Sequence, residues 1–464
     1  MANRANSGGP GADPGGDRPY SEAVGLLQDL RQELVAMNPE VQFSFRDQVE
    51  PVYRQLVRIL LTDVEALPEP ERQERLERSR QTMEALQLAQ VQNFLRSACE
   101  TYETRSIEQI DPSAAVVYPI VLGDGPFEAA GPGKGAVDRL EVILSLPGQP
   151  LQHYGSAFPR AEQQQMLRQL RQALNPAFPA ETSLPTSQQL YDRLIRPGEI
   201  LLKQQKVETL VFVLDGFLRD LPMAILHDGD RYLIETYRLA LTPGLQLFES
   251  RPLSGQPLKL LAGGLSEARQ GFSPLPGVSR ELGSITAQLQ NNKPQIQVLL
   301  NQDFTQPELV RQVDAQDFSV VHLATHGQFS SKAEDTFLLT WDDRLKARAF
   351  NEWLKPGAVG RSGKARSPVE LLILSACQTA RGDTQATLGL AGMAVRSGAR
   401  TTLATLWSVQ DQSTADLMSV FYEQLFNLGK TRAEALRRAQ ISLLQSNYSH
   451  PYYWAPFVLV GNWQ

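Results

Sequence analysis

Cysteine is scarce in this sequence: Cys99 and Cys377 are the 2 among 464 residues. Two thiols cannot build a disulfide framework or a Cys-rich zinc site, and so low a number fits a reducing compartment. No run of about 18 apolar residues occurs, so no membrane-spanning helix is expected. The opening stretch, MANRANSGGPGADPGGDRPY, is rich in Gly and Pro and holds no apolar h-region, so no secretory signal is read there. Positive charge is not in excess either. Lys and Arg number 45 against 51 Asp and Glu, a formal net charge of −6, which argues against a nucleic-acid-binding face. A soluble, cytoplasmic protein with no nucleic-acid or membrane partner is the expectation.

Several catalytic signatures are also missing. GPGKGA (131–136) resembles a phosphate loop, but with Gly133-Lys134 as the Gly-Lys pair, Glu128 stands where another Gly is needed and Gly135 where Ser or Thr is needed. His322 and His326 have the spacing of a zinc-protease helix, yet Leu323 replaces the Glu that must follow the first His, and the segment reads as a strand. His153, His227 and His450 are isolated. No metal and no cofactor is therefore expected. No GxSxG elbow is present, and no tandem repeat with a period of about 20 to 50 residues supports a solenoid.

What is present is enough for a full-sized core, with 42% hydrophobic residues. Residues 1–18 read as a disordered tail that cannot bury enough apolar surface to offset ordering entropy. Residues 19–110 read as helical, starting at Ser21 as N-cap. One apolar face runs through Leu26, Leu27, Leu30, Leu34 and Val35, a second through Val52, Leu56, Ile59, Leu60 and Leu61. A third joins Leu86, Leu88, Val91, Phe94, Leu95, Ala98 and Cys99, which makes Cys99 a buried, inert thiol.

From Ala114 the period changes. VVYPIVL and RLEVILSL predict a hairpin or adjacent strands. Helical patterns follow at Arg160–Leu174 and Gln188–Ile195, the second stopped by Pro197. Thereafter the apolar runs ETLVFVLD, YRLALT, LKLLAGG, IQVLLN, FSVVHLAT, ELLILSA and TTLATLW alternate with helical segments at Val278–Gln290, Leu388–Ser397, Ser413–Leu428 and Arg432–Gln445. That alternation predicts an α/β fold with a mostly parallel sheet covered by helices on both faces. The polar, basic segment 355–368 interrupts it as a surface loop. Its Arg361, Lys364 and Arg366 are candidate P1 residues for self-cleavage.

Two of these strands end in chemistry-bearing residues. FSVVHLATHGQFS runs into His326 and Gly327, and ELLILSACQTARGD runs into Cys377. Ligands of open α/β sheets bind at the carboxyl ends of strands, so parallel neighbours would deliver His326 and Cys377 to one edge. A thiol needs help to ionise near neutral pH, and an adjacent imidazole gives it; a helix starting soon after Cys377 would help further. The N–H groups of Gly327 and Cys377 would then serve as an oxyanion hole. His322 is expected to support the site or the core rather than act in it.

The strings HLATHG (His322–Gly327), LSACQTARGD (Leu374–Asp383), LGLAGMAVRSGARTTLATLW (Leu388–Trp407) and HPYYWAPFVLVGNW (His450–Trp463) closely resemble CHAT domains, of the caspase clan that also holds separases and metacaspases. LEVILSLPGQPLQHY, VFVLDGFLRDLPMAILHDGDRYLIETYRLALTPGL, PLPGVSRELGSI and the helical LQLAQVQNFLRSACE, similar to the leader of many bacterial members, extend the resemblance over most of the chain after Ser21. It implies a caspase-like cysteine endopeptidase with His326 as general base and Cys377 as nucleophile. It also implies a degenerate caspase-like half over residues 111–250 ahead of a catalytic half over 251–464. LWSVQD (Leu406–Asp411) is similar to the separase segment that lines the P1 pocket with an acidic residue, so Asp411 is a candidate to bind a basic P1 side chain, although Ser408 replaces an acidic residue common there. Asp383 and Asp335 are rival candidates.

Members of the family often carry tetratricopeptide repeats that couple them to partners. None is recognisable here, and the helical region is expected to act as cap, inhibitor or docking surface for a regulatory protein. The substrate expected is a protein or peptide. The competing expectations are a catalytically silent scaffold or signalling module, and an acyl transfer such as peptide ligation.

Overall fold

The computed structural model describes residues 19–26, 49–95, 106–123, 138–245, 258–289, 295–329, 335–354, 356–357, 365–375, 377–379 and 398–464. The tail 1–18, the apolar face from Leu27 to Val35, Cys99, the GPGKGA turn, the boundary at 250/251 and the helix expected at Leu388–Ser397 lie outside them.

Residues 19–26 are helical, so Ser21 lies inside the helix rather than at its N-cap, and Leu26, expected on an apolar face, is 61% exposed; α1 (Glu50–Leu61) and α2 (Glu69–Leu95) follow after residue 48. The apolar period alone starts the third helical stretch near Leu86, yet α2 begins at Glu69. Its first half, EPERQERLERSR, has no apolar stripe. Ion pairs one turn apart support it instead: Arg72 with Glu69, Arg75 with Glu71, Arg80 with Glu77.

The strands follow as β1 (Ala114–Leu122), β2 (Arg139–Ser145), β3 (Gln152–Ala157), β4 (Thr209–Phe212), β5 (Arg238–Leu241), β6 (Lys259–Gly264), β7 (Gln295–Leu300), β8 (Val320–Ala324), β9 (Gly327–Phe329), β10 (Phe337–Leu339), β11 (Arg344–Lys346), β12 (Leu371–Leu374), β13 (Cys377–Thr379), β14 (Thr401–Thr405) and β15 (Phe457–Gly461). One sheet of 11 strands has the order β3-β2-β1-β4-β5-β15-β14-β12-β8-β6-β7. Pairing is parallel except at β3-β2-β1 and between β15 and β14. The mostly parallel sheet and the N-terminal helical region are as expected. β1 and β2 are antiparallel neighbours, also as expected.

Helices cover both faces. Along β6, β8 and β12 alternate residues enter two cores: Leu260, Val320, Leu371 and Ile373 on one side, Leu261, Val321, Leu372 and Leu374 on the other. The first side is closed by α5 (Gly277–Leu289), α8 (Asp411–Tyr422) and α9 (Arg432–Leu444), the second by α6 (Gln306–Ala315) and α7 (Ala347–Leu354). Burial on both faces is why these strands read as unbroken apolar runs. In the N-terminal part of the sheet, α3 (Arg160–Ala173), α4 (Leu184–Leu194), α1 and α2 share the first core.

Polar anchors tie the helical region to that part of the sheet. Arg54 of α1 grips Asp215 through two hydrogen bonds, 2.8 and 2.9 Å, and donates to the Val121 carbonyl. Arg219 donates to Gln87 and Gln90 of α2. Gln73 of α2 exchanges two hydrogen bonds with the Leu151 backbone beside β3. β5 and β15 join the earlier and later strands into one sheet through the pair Leu241↔Val460.

Candidate active site

Strands β8 and β12 are parallel neighbours, with Leu323 opposite Leu374. Ser375 N donates to the Leu323 carbonyl at 3.1 Å, so the two chains stay together as they leave the sheet. They pair again at once in a second sheet of order β11-β10-β9-β13. There Cys377 stands opposite Gly327. Three residues separate Leu323 from Gly327, but two separate Leu374 from Cys377. The His-bearing chain thus carries one extra residue between the sheets, a local bulge that holds Thr325 and His326.

That bulge is pinned. Thr325 Oγ1 donates to the Leu339 carbonyl at 2.7 Å, and Leu339 N donates to the His326 carbonyl at 2.8 Å. The second bond marks Gly327 and Leu338 as a non-hydrogen-bonded antiparallel pair, so the Gly327 N–H points away from β10, to the β13 side.

The His326 side chain is half-buried. Its Nε2 lies 2.7 Å from the Ser273 carbonyl oxygen. A carbonyl only accepts, so Nε2 carries the hydrogen and Nδ1 is left with its lone pair. Phe272 lies beside the ring, centroids 5.0 Å apart. Residues 269–272 form a tight turn: Arg269 and Phe272 exchange both backbone hydrogen bonds, while Gln270 (φ 48°) and Gly271 (φ 84°) take left-handed conformations. Arg269 fastens the turn, its guanidinium 4.1 Å over the Trp341 ring and its Nε donating to the Trp341 carbonyl at 2.8 Å.

Of the acidic candidates, Asp411 is the first residue of α8, and its Oδ2 accepts from Gly277 N at the start of α5. A Cβ on Gly277 would meet Asp411 Cγ at 2.8 Å, so glycine is what permits this approach. Burial raises the Asp411 pKa and the charge of Glu281 adds to that; the Gly277 hydrogen bond and the neighbouring His326 pull the other way. Asp411 thus shares the electrostatic surroundings of His326. Asp335 is exposed just before β10, and its backbone carbonyl accepts from Gln328. Asp383 lies outside the described residues, as does the segment just after Thr379 where a helix is expected.

The Ser273 carbonyl and Phe272 were not among the residues singled out from sequence. A backbone oxygen has no residue signature; the Gln-Gly pair marks only the turn. In the basic segment, Arg366 is engaged, donating to the Trp353 carbonyl at 2.7 Å and paired with Asp314, so it is not freely presented as a P1 residue. Arg361 and Lys364 lie outside the described residues. Among the described residues no group of three His, Cys, Asp or Glu is arranged to hold a metal ion, and no helix is long and apolar enough to cross a membrane.

A mostly parallel α/β sheet whose adjacent strands lead into a His-Gly and a Cys at one edge defines the class. The chain belongs to the CHAT domain family, whose model matches residues 184–462. The resemblance read over residues 21–183 falls before that match. No curated protein matches the chain in sequence. Among solved structures, Saccharomyces cerevisiae separase in complex with securin is similar over 96% of this chain, at 10% identity and a TM-score of 0.44. This chain spans only 40% of the separase chain. The Arg-specific cysteine proteinase gingipain R is similar over 63% of this chain and 69% of its own, at 10% identity and a TM-score of 0.38. The complex of Porphyromonas gingivalis RgpB pro- and mature domains gives 66%, 77%, 9% and 0.39.

Proposed function

We propose that this chain is a cysteine endopeptidase acting through His326 and Cys377. The observation that carries the reading is the parallel register of Cys377 with Gly327, one residue after His326. His326 Nδ1 takes the proton of the Cys377 thiol, and the thiolate attacks the scissile carbonyl carbon. The oxyanion is proposed to be met by the N–H groups of Gly327 and Cys377. Collapse breaks the C–N bond, the leaving amine takes the proton from the imidazolium, and a water activated by His326 cleaves the thioester.

The Ser273 carbonyl supports this role by holding Nε2–H, which fixes the tautomer and steadies the imidazolium. Asp411 is proposed to receive a basic P1 side chain by a charge-assisted bond. The helical region and the strands up to residue 250 are proposed as a regulatory, non-catalytic half, the place for a protein partner that controls the site. Identification of new protein N-termini in a proteome treated with wild type, but not with Cys377→Ala, tests the reading. Cleavage after Arg or Lys, relaxed in Asp411→Ala, is expected. The same termini from both proteins, or none from either after addition of candidate partners, leaves the scaffold reading.

A further inference from the structure

Beneath the strand ends lies a cluster of polar side chains in an otherwise apolar core. His322 and Tyr422 are 0% exposed, Ser375 1% and Glu281 2%. They come from four elements: β8, α8, the residue after β12, and α5. Tyr422 Oη lies 3.0 Å from His322 Nδ1, and Ser375 Oγ lies 3.1 Å from His322 Nε2. Glu281 Oε1 stands 2.9 Å from the same Nε2 but off the line of its N–H, a close polar contact rather than an aligned hydrogen bond.

Donor and acceptor roles can be assigned. Burial, reinforced by the charge of Glu281, pushes the Tyr422 phenol well above its usual range, so it keeps its hydrogen and donates to Nδ1. Nε2 then carries the ring hydrogen, which Ser375 Oγ accepts with the Glu281 carboxylate alongside. Hydrophobic side chains would fill this volume with less penalty, so a buried polar set of this kind asks for a role beyond packing. Ser375 is also bonded through its N–H to the Leu323 carbonyl, two residues ahead of Cys377. Glu281 and Tyr422 lie on the two helices whose starts are joined by the Gly277–Asp411 contact.

We propose that Glu281, His322 and Tyr422 form a positioning network that fixes Ser375, and through it the strand end that presents Cys377. It rests on the cysteine-peptidase reading, in which Cys377 must be held to its proton acceptor. These groups act through Ser375 and touch no substrate.

The test is the rate of Cys377 carboxamidomethylation by iodoacetamide across pH, read by mass spectrometry of the Cys377 peptide in the full-length protein. Ser375→Ala and His322→Leu are expected to slow it about tenfold and shift its pH midpoint, the effect of one lost buried hydrogen bond of about 1.4 kcal/mol. His322→Gln, which keeps one donor and one acceptor, is expected to recover most of the rate, as is Ser375→Thr, which keeps the hydroxyl. Ser375→Ala that melts with wild type and alkylates at the wild-type rate and pH dependence overturns the proposal; if it loses stability, failure of Ser375→Thr to restore the rate does so. Alkylation needs no peptide cleavage, so the two readings fail separately. A protein that cleaves nothing yet slows in Ser375→Ala keeps the network and loses the peptidase; one that cleaves and ignores the substitution loses the network alone.

Discussion

His326 Nε2 donates to the Ser273 carbonyl at 2.7 Å, and Ser273 directly follows the 269–272 turn that Arg269 fastens to Trp341. The imidazole is therefore oriented from a loop 53 residues earlier in the chain, and in the proposed peptidase the stiffness of that loop bears on proton transfer. Arg269→Ala removes both the ring contact and the hydrogen bond to the Trp341 carbonyl without touching the site. The expected result is a fall of about tenfold in kcat with KM little changed, because a tilted imidazole weakens proton transfer rather than binding. Steady-state kinetics on a fluorogenic peptide checks it; an unchanged kcat would make the loop irrelevant to His326.

The helical region is held to the sheet by a charge pair between half-buried Arg54 and buried Asp215. Burial alone would raise the Asp215 pKa, but Arg54, with help from Arg219 and the Val121 N–H, lowers it to about 2. Arg54→Met strands a carboxylate that is 0% exposed, and is expected to cost about 3–5 kcal/mol in urea unfolding. The sign of the pH dependence follows from the lowered value. The stabilisation is complete above the unfolded pKa of about 3.9 and is lost as pH falls from there through about 2. Arg54→Met should be missing that acid limb.

A histidine on the edge strand acts with the opposite sign. His153 of β3 lies 2.8 Å from Glu65, between α1 and α2, and 3.2 Å from Glu141 of β2. Burial disfavours its charge, but the two carboxylates outweigh burial and raise its pKa; Arg139 and Arg72, which pair with Glu141 and Glu65, temper the effect. Stabilisation is thus full below the unfolded pKa of about 6.5 and fades as pH rises through the higher folded value. Thermal melts of wild type should decline over that window by about 1 kcal/mol, the Glu65 share being small because that carboxylate is half-exposed. His153→Gln should flatten the slope; an equal slope in the variant would assign it elsewhere.

How much of this was legible in the sequence depended on burial. β6, β8, β12 and β14 are covered on both faces, and their unbroken apolar runs revealed them. β3, QHYGSA, is an edge strand, mostly half-buried and without an apolar run, and left no such trace. β9, β10, β11 and β13 are three residues each, too short for a period to register. β15 lies inside the family-like string HPYYWAPFVLVGNW, where no turn signal marks its direction, yet it joins the earlier and later strands and runs antiparallel to β14. At the site, His326 and Cys377 stood out because each closes an apolar run. Glu281 looked like one more residue of a helix, since the buried imidazole it faces lies on a strand 41 residues later, and no local pattern reports a contact at that distance.

Activation of the Cys377 thiol by His326 is the central claim of the proposed function. The most direct measurement is labelling of the full-length protein with a peptide acyloxymethyl ketone, with the adduct located by mass spectrometry. One adduct on Cys377 is expected in wild type. It should be absent in Cys377→Ala and at least about a hundredfold slower in His326→Ala, the scale of a lost general base. Equal labelling of wild type and His326→Ala, or an adduct on Cys99 alone, would contradict it.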